Sequence, residues 1–568
     1  MTRTGPALRR LVVMAVSVAV LFGSALPPAP AAGVTVPLVR LPFPQDDGSL
    51  TPYTFELGYP LVTLLYDTLL WRDQHDVPEP WLARSVDTSA DRRTVTISLV
   101  DGVRWQDGEP LTASDVAFTF RYVAAHFHPR FTPEVAPVES AVATDATTVV
   151  VHLRQPSAGF ADQPLADLPI LPAHIWANLP PGQTAPPGLP MGSGPYRLVG
   201  HDATGYRFEA NAGYFLGPPA VQAIQVPITD DRDAMLRAFQ SGSLDAIPVD
   251  LLAGEASQVR GLGTELVDGA SFAGTVLMFN VRRPPFDQLA TRRAVAEALD
   301  LRAVAAAAGG VVPADHGYLD PRSPWASPAV LHRYDPADAH QQLPAPTPEP
   351  VSILVADHQP AEAAAARFIA QAMSGLGIRA SIDAMPEREL AAAVGEDGSP
   401  PAFQVALWSV PALASDDPSI LGRLFGPASG PSSLNYTGYT SPAFDELAGR
   451  IATTTDHVSR GQAVQAALRQ LATDLPVVPL FFPAGTQAFH PSVYSGWVYV
   501  QGSGILDKLS FLGQAAPPPA VGAAVPIGRA EHGGRSPLTL VTLAVLGCAG
   551  LLLLVLAGLH VADRRRRS

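Results

Sequence analysis

From Thr94 to Leu99 apolar and polar positions alternate, Val95, Ile97 and Leu99 against Thr94, Thr96 and Ser98, which predicts a strand with one buried face. Asp101-Gly102 and Asp107-Gly108 then mark turns. Thr112, with Asp115 three residues on, has the form of a capping box at a helix start, and Val116, Phe120 and Val123 follow at helical spacing. Similar patterns predict strands at 34–41, 148–153, 244–248 and 276–280, and a short amphipathic helix at 233–239 stopped at Gly242. Asp300 is placed to cap a further helix. Residues 351–356, an Ala-rich helix around 364–373 closed by Gly375, and 378–382 predict a strand–helix–strand unit, hence a parallel pair with a right-handed crossover. Another strand spans 403–410, with Trp408 near its end. This mixture of periods predicts a mixed α/β (α+β) chain.

The two ends read differently. Arg3, Arg9 and Arg10 precede an apolar stretch from Leu11 to Phe22, and Ala29-Pro30-Ala31 has the form of a cleavage site, so residues 1–31 are expected to be a secretory signal. An uncleaved anchor is the rival reading, disfavoured because the run is short for a full span. Residues 514–537 are an Ala/Pro/Gly-rich tether unable to bury a core. The 24 positions 538–561 are predominantly apolar, and Arg564 to Arg567 follow, which predicts one transmembrane helix with a basic cytoplasmic tail (562–568) and the large domain outside.

Composition narrows the function. The 38 basic and 52 acidic residues argue against nucleic acid, and 568 residues suit roughly two to four domains. Leader and tail set aside, the 32–513 segment is about −20, which favours cationic or neutral ligands over polyanions. The sole lysine is Lys508, and the sole cysteine, Cys548, excludes an internal disulfide. His126 and His128 flank Phe127, but an i,i+2 pair on a helix does not converge on a metal, so both are read as solvated surface. Gly192-Ser193-Gly194 lacks the following Lys-Ser/Thr of a phosphate loop, and Ser271 has no nucleophile elbow. No enzyme, cofactor or metal site is expected.

The run Gly102-Val103-Arg104-Trp105, Asp107-Gly108, Pro110-Leu111-Thr112-Ala113 and Asp115-Val116 resembles the signature of the family 5 extracytoplasmic solute-binding proteins, the peptide- and nickel-type receptors of ABC importers. Gly192-Ser193-Gly194-Pro195-Tyr196, Phe279-Asn280, Pro285-Phe286-Asp287, Ala298-Leu299-Asp300 and Leu475-Pro476 extend the resemblance over about 38–512, with the poorest match at 310–350. It implies a two-lobed periplasmic-binding-protein-like fold of the large three-domain type. Lobe one would take 34–275 and 488–513, with an extra subdomain at about 80–187, and lobe two 276–487, with hinge crossings near Asn280 and Pro479-Leu480. It also implies a monomeric receptor that passes a peptide or peptide-like solute to ABC permease subunits.

The resemblance makes Trp408 the leading ligand-binding candidate, followed by Asn280, Tyr66, Asn435, Tyr436 and Asp416. Tyr66 is also readable as core, the commoner fate of a lone aromatic on an apolar face. Where many peptide-binding relatives carry an acid for the peptide ammonium, this chain has Pro411, and the next acids are Asp416 and Asp417. The alternative function is a surface sensor or scaffold that keeps the fold without transport.

Overall fold

The computed structural model describes residues 35–513, except 181–182, 184, 262, 316, 327–331, 344–349, 358, 397–398, 411–416 and 428–432. The alternation at Thr94–Leu99 is realised as a strand whose odd positions are buried. It is second in an antiparallel four-stranded sheet ordered Ala83–Thr88, Thr94–Leu99, Thr148–Leu153, Val138–Ala143. Helix Ala113–Ala125 packs on that sheet through Val116, Phe120 and Val123. Its start is held by the box read from sequence, the Thr112 backbone N–H donating to Asp115 Oδ2 at 2.8 Å.

A second four-stranded sheet, Val39–Arg40, Ala223–Pro227, Gly205–Ala210 and Tyr196–Asp202, completes the frame of lobe one around helix Tyr59–Leu65. Gly192 and Gly194 lie inside this lobe, against the end of that helix, where a Cβ on either would strike the carbonyls of Leu65 and Leu64.

Lobe two is built on a six-stranded sheet ordered Val312–Pro313, Val477–Phe482, Gly274–Phe279, Val405–Val410, Val351–Ala356, Ala380–Met385. The last three strands are parallel and the neighbours of Gly274–Phe279 antiparallel. The crossover helix Pro360–Gly375 covers one face with Ala366, Ile369 and Met373. The helix runs through Gly375, and its left-handed stop lies two residues later than expected, at Gly377 (φ 78°). Ile378 N–H then bonds Met373 O at 2.9 Å and closes the turn.

A small sheet, Ala246–Ile247, Thr486–Phe489, Glu265–Asp268, leads into the large one, so the chain crosses between lobes at 269–273 and 483–485. Asn280 and Pro479 instead lie at the far end of, and inside, the six-stranded sheet. The two crossings meet where Gly269 N–H bonds Gly485 O at 3.1 Å. Arg322 clamps them from lobe two, donating to the carbonyls of Gly269 (2.7 Å), Pro483 (2.9 Å) and Ala484 (3.0 Å), while the buried Asp320 carboxylate accepts from the same guanidinium at 2.9 and 2.6 Å.

Among the described residues no helix is long and apolar enough to cross a membrane. The expected signal at 1–31, tether at 514–537 and span at 538–561 lie outside the described residues.

Candidate functional site

Beside the crossings the lobes are joined by Ala253 N–H donating to Gly309 O at 3.1 Å, and away from them the described residues of the two lobes meet along a seam. Ala158 N–H donates to Ala452 O at 2.8 Å, Arg423 Nη2 donates to Pro129 O at 2.9 Å, and Gly159 sits against the Asp417 carboxylate with no room for a Cβ. Asp417 is itself held: both oxygens accept from Arg460 Nη2 (2.8 and 3.1 Å), and Oδ1 also accepts from Ser419 N–H (2.7 Å).

Trp408 and Tyr436 form an aromatic pair on lobe two, edge to face with centroids 5.9 Å apart and planes at 82°. Burial raises the Tyr436 hydroxyl above its ordinary range, Glu396 adding to the rise and Arg423 opposing it. Glu396 follows helix Glu387–Val394. Desolvation raises its carboxyl, and so do the carboxylates of Glu387 and Glu56. Glu56 belongs to lobe one, so this repulsion acts between the lobes.

The lobe-one side is built around Asp167, which is fully buried and accepts from Arg130 Nε and Nη2 at 2.8 and 2.7 Å. The Arg130 guanidinium also lies 3.9 Å over the Tyr59 ring, and Tyr59 donates its hydroxyl proton to Asp167 O. Glu134 is buried beside them.

Of the residues singled out from sequence, the structure brings Trp408 and Tyr436 together and engages the two amides internally. Asn280 is 1% exposed; its Nδ2 donates to Phe403 O (3.1 Å), and its Oδ1 accepts from the Arg282 backbone and side chain (3.2 Å each). Arg282 in turn donates to Tyr436 O at 2.9 Å, so Asn280 helps fix the position of Tyr436. Asn435 spans a turn, donating to Gly426 O and Tyr439 O (2.8 Å each) and accepting from Thr437 Oγ1 (2.8 Å) and Gly438 N–H (3.1 Å). Tyr66 is 1% exposed in the lobe-one core against Gly192, and among the described residues its hydroxyl has no hydrogen-bond partner. Asp416 and Pro411 lie outside the described residues.

The two histidines differ. His126 is exposed and stacks on Tyr122, whereas His128 is buried, stacked on Phe131 at 4.6 Å. Burial and Arg130 push its pKa down to about 4, and the neutral ring accepts the Arg130 and Phe131 backbone N–H groups at 3.2 and 3.4 Å. The expectation of solvated surface thus fails for His128, because an aromatic cluster covers it. Among the described residues no group of three or more His, Cys, Asp or Glu side chains is placed to hold a metal ion.

Sequence reasoning gave Lys508 no structural role. Its ammonium, with no solvent exposure, donates to Asp67 Oδ1 (2.9 Å) and Tyr66 O (3.2 Å) and lies 4.1 Å over the Trp71 ring. Asp67 also accepts from Trp81 Nε1, Tyr214 Oη and Ser193 Oγ, each at 2.9 Å.

Comparison with known proteins agrees with this architecture. The family model described as bacterial extracellular solute-binding proteins, family 5 Middle, matches residues 77–432. A protein of Brucella ovis named as an ABC transporter peptide-binding protein is 29% identical over 310 residues, covering 52% of this chain and 57% of the relative's own length. The glutathione-binding protein GsiB of Escherichia coli O157:H7 is 26% identical over 481 residues, 79% of this chain and 90% of the relative. The oligopeptide-binding protein AppA of Bacillus subtilis, solved with a nonapeptide, superposes with a TM-score of 0.73 at 18% identity, over 84% of this chain and 99% of AppA, a likeness of fold.

Proposed function

The chain belongs to the bacterial extracellular solute-binding proteins of family 5, and from that premise we propose that it is the capture receptor of an ABC importer. In this reading the two lobes, 35–268 with 486–513 and 274–482, joined by the crossings at 269–273 and 483–485, close on a peptide or peptide-like solute and present the closed form to permease subunits. A span at 538–561 holds the receptor on the outer face of the cell membrane as a single-pass protein, its C-terminus cytoplasmic.

The observation that carries the reading is the Trp408–Tyr436 pair, set on lobe two beside a seam to which both lobes contribute groups: Arg423 and Glu396 from one, Glu56, Arg130 and Glu134 from the other. A ligand drives closure only by binding the closed arrangement better than the open one, which requires contacts from both sides. The names of the relatives, peptide-binding and glutathione-binding, support a peptide-like solute. Pro411 offers no charge for a free peptide ammonium, so blocked or modified peptides fit better than free ones.

Mass spectrometry of what co-purifies with the protein, followed by calorimetry with unmodified and N-acetylated di- to pentapeptides, tests this. We expect acetylation to leave binding intact and Trp408→Ala to weaken it at least about tenfold, the scale of one buried aromatic contact. Micromolar binding abolished by N-acetylation refutes the preference for blocked peptides. Lobes that stay equally extended in solution scattering with and without a bound solute refute the receptor reading.

A further inference from the structure

The seam encloses a carboxyl group that no donor serves. Glu134, on helix Phe131–Val135, is 5% exposed; among the described residues no N–H or O–H donor reaches either side-chain oxygen, and its carboxyl shares a hydrogen bond with the Asp167 carboxylate, which requires a proton on one of the two. The groups acting on it are Asp167, Arg130 and Tyr59 from lobe one and Arg423 from lobe two. Arg130 is already committed to both oxygens of Asp167, and Arg423 donates to Pro129 O. A buried carboxylate without donors is costly enough that the group takes up a proton instead, and a second negative charge beside Asp167 adds to the cost. Burial and Asp167 accordingly raise Glu134 well above the usual carboxyl range against the opposing pull of Arg130 and Arg423, while Asp167, paired with Arg130, is lowered.

A second acid on the seam behaves alike. Asp162 donates nothing and accepts from Arg72 Nη1 at 3.2 Å. Burial and Asp417 raise its pKa, while Arg72 and Arg460 oppose the rise. Asp417 and Arg460 belong to lobe two, as Arg423 does; the Asp162 side chain, 26% exposed, already meets solvent, whereas opening the seam admits water to Glu134, whose burial is the largest effect on it and outweighs the withdrawal of Arg423.

We propose that lobe closure is coupled to proton uptake at Glu134, with Asp162 in a supporting role, so that the closed form gains over the open form as pH falls. The proposal shares with the receptor reading only the premise that the lobes move about the hinge. With Glu134 protonated in the closed form and ionised in the open form, each unit of acidification raises the closed-to-open ratio by up to about tenfold. The effect ends near the ordinary carboxyl pKa of about 4, where the open form is protonated too.

The test uses the full chain in detergent, without solute, carrying Cys548→Ser, Val142→Cys and Ile382→Cys. The last two positions are exposed, one on each lobe, and are labelled for energy transfer. From pH 9 to pH 5 the closed fraction should rise in the parent. Glu134→Gln should be closed throughout and nearly flat, and Arg423→Gln, which removes a cation opposing proton uptake, should move the midpoint to higher pH. Energy transfer that is constant or falls on acidification, Glu134→Gln with the parental profile, or Arg423→Gln with a lowered midpoint overturns the proposal. Circular dichroism establishes folding, and if Glu134→Gln does not fold, the Arg423→Gln midpoint decides. Closure by a bound solute at fixed pH, read in the same labelled chain, tests the receptor reading separately, so either idea can fail alone.

Discussion

Replacing Lys508 by Met removes a cation that has no contact with solvent. Its partner Asp67 is also fully buried, and the two sit 2.9 Å apart. Deleting one member of such a pair leaves the other charge uncompensated, at about 3–5 kcal/mol. The Trp81, Tyr214 and Ser193 donors that remain on Asp67 hold the loss toward the lower figure, whereas the lost contact with the Trp71 face, about 2 kcal/mol when desolvated, pushes it up. We therefore expect Lys508→Met to destabilise by about 4 kcal/mol in urea unfolding at pH 7, followed by the fluorescence of the neighbouring Trp71 and Trp81. Adding Asp67→Asn should recover much of that loss, since exchanging both members of a buried pair is far less costly than orphaning one. A loss below about 1 kcal/mol for Lys508→Met, or a double variant no better than the single one, would refute the account and leave Asp67 held by its neutral donors alone.

Two more perturbations follow from the same kind of reasoning. Arg322→Ala removes three hydrogen bonds to the crossing carbonyls and the cation paired with buried Asp320, so it should cost about 3–5 kcal/mol; hydrogen exchange should quicken first at 269–273 and 483–485, and protection unchanged there would exclude a clamp. Asp507 is raised to about 6 by burial, so native Asp507 holds a proton that the unfolded chain has released. Its contribution to stability is therefore present below about pH 4 and lost as pH rises through 6, a change of about 3 kcal/mol. His128, pushed down to about 4, acts in the opposite sense: its contribution is present above about pH 6.5 and is lost, by about 3 kcal/mol, as pH falls to 4. The difference in stability between the wild type and Asp507→Asn should favour the wild type as pH falls from 6 to 4, and the difference from His128→Asn should move the other way; pH profiles parallel to the wild type would show that these groups do not titrate as argued.

What was legible in the chain was what is local. The alternation of Thr94–Leu99 and the Thr112–Asp115 box need only neighbours a few residues away, and both are present as read. Trp408 and Tyr436 were both nominated, yet their edge-to-face pairing depends on a turn braced by Asn435 and on Arg282, which Asn280 holds. Glu134, Arg423 and Glu396 carried no signal, because an isolated Glu or Arg looks like surface until the fold sets it beside residues hundreds of positions away; Arg423 and Pro129 are 294 apart. His128 was misread for the same reason, and Lys508 registered only as a compositional oddity although Asp67, 441 positions earlier, makes it part of a core. The sequence places the helix stop at Gly375, two residues early, since consecutive small residues leave the exact turn to the packing of Ile378.

The strand Thr486–Phe489 lies between Ala246–Ile247 and Glu265–Asp268, and among the described residues no other strand joins them. On the ribosome, the first-made lobe therefore waits for its middle strand, and for Lys508, until all of the second lobe has emerged. At 5–20 residues per second, the roughly 240 residues from 269 to 508 take about 12–48 s. Through that interval the strand edges at 246–247 and 265–268 stand open to the wrong chain, while the six-stranded sheet, drawn wholly from residues 274–482, can be completed first. The order of maturation runs against the order of synthesis, and a defect in residues 484–513 is felt in the lobe that was made first.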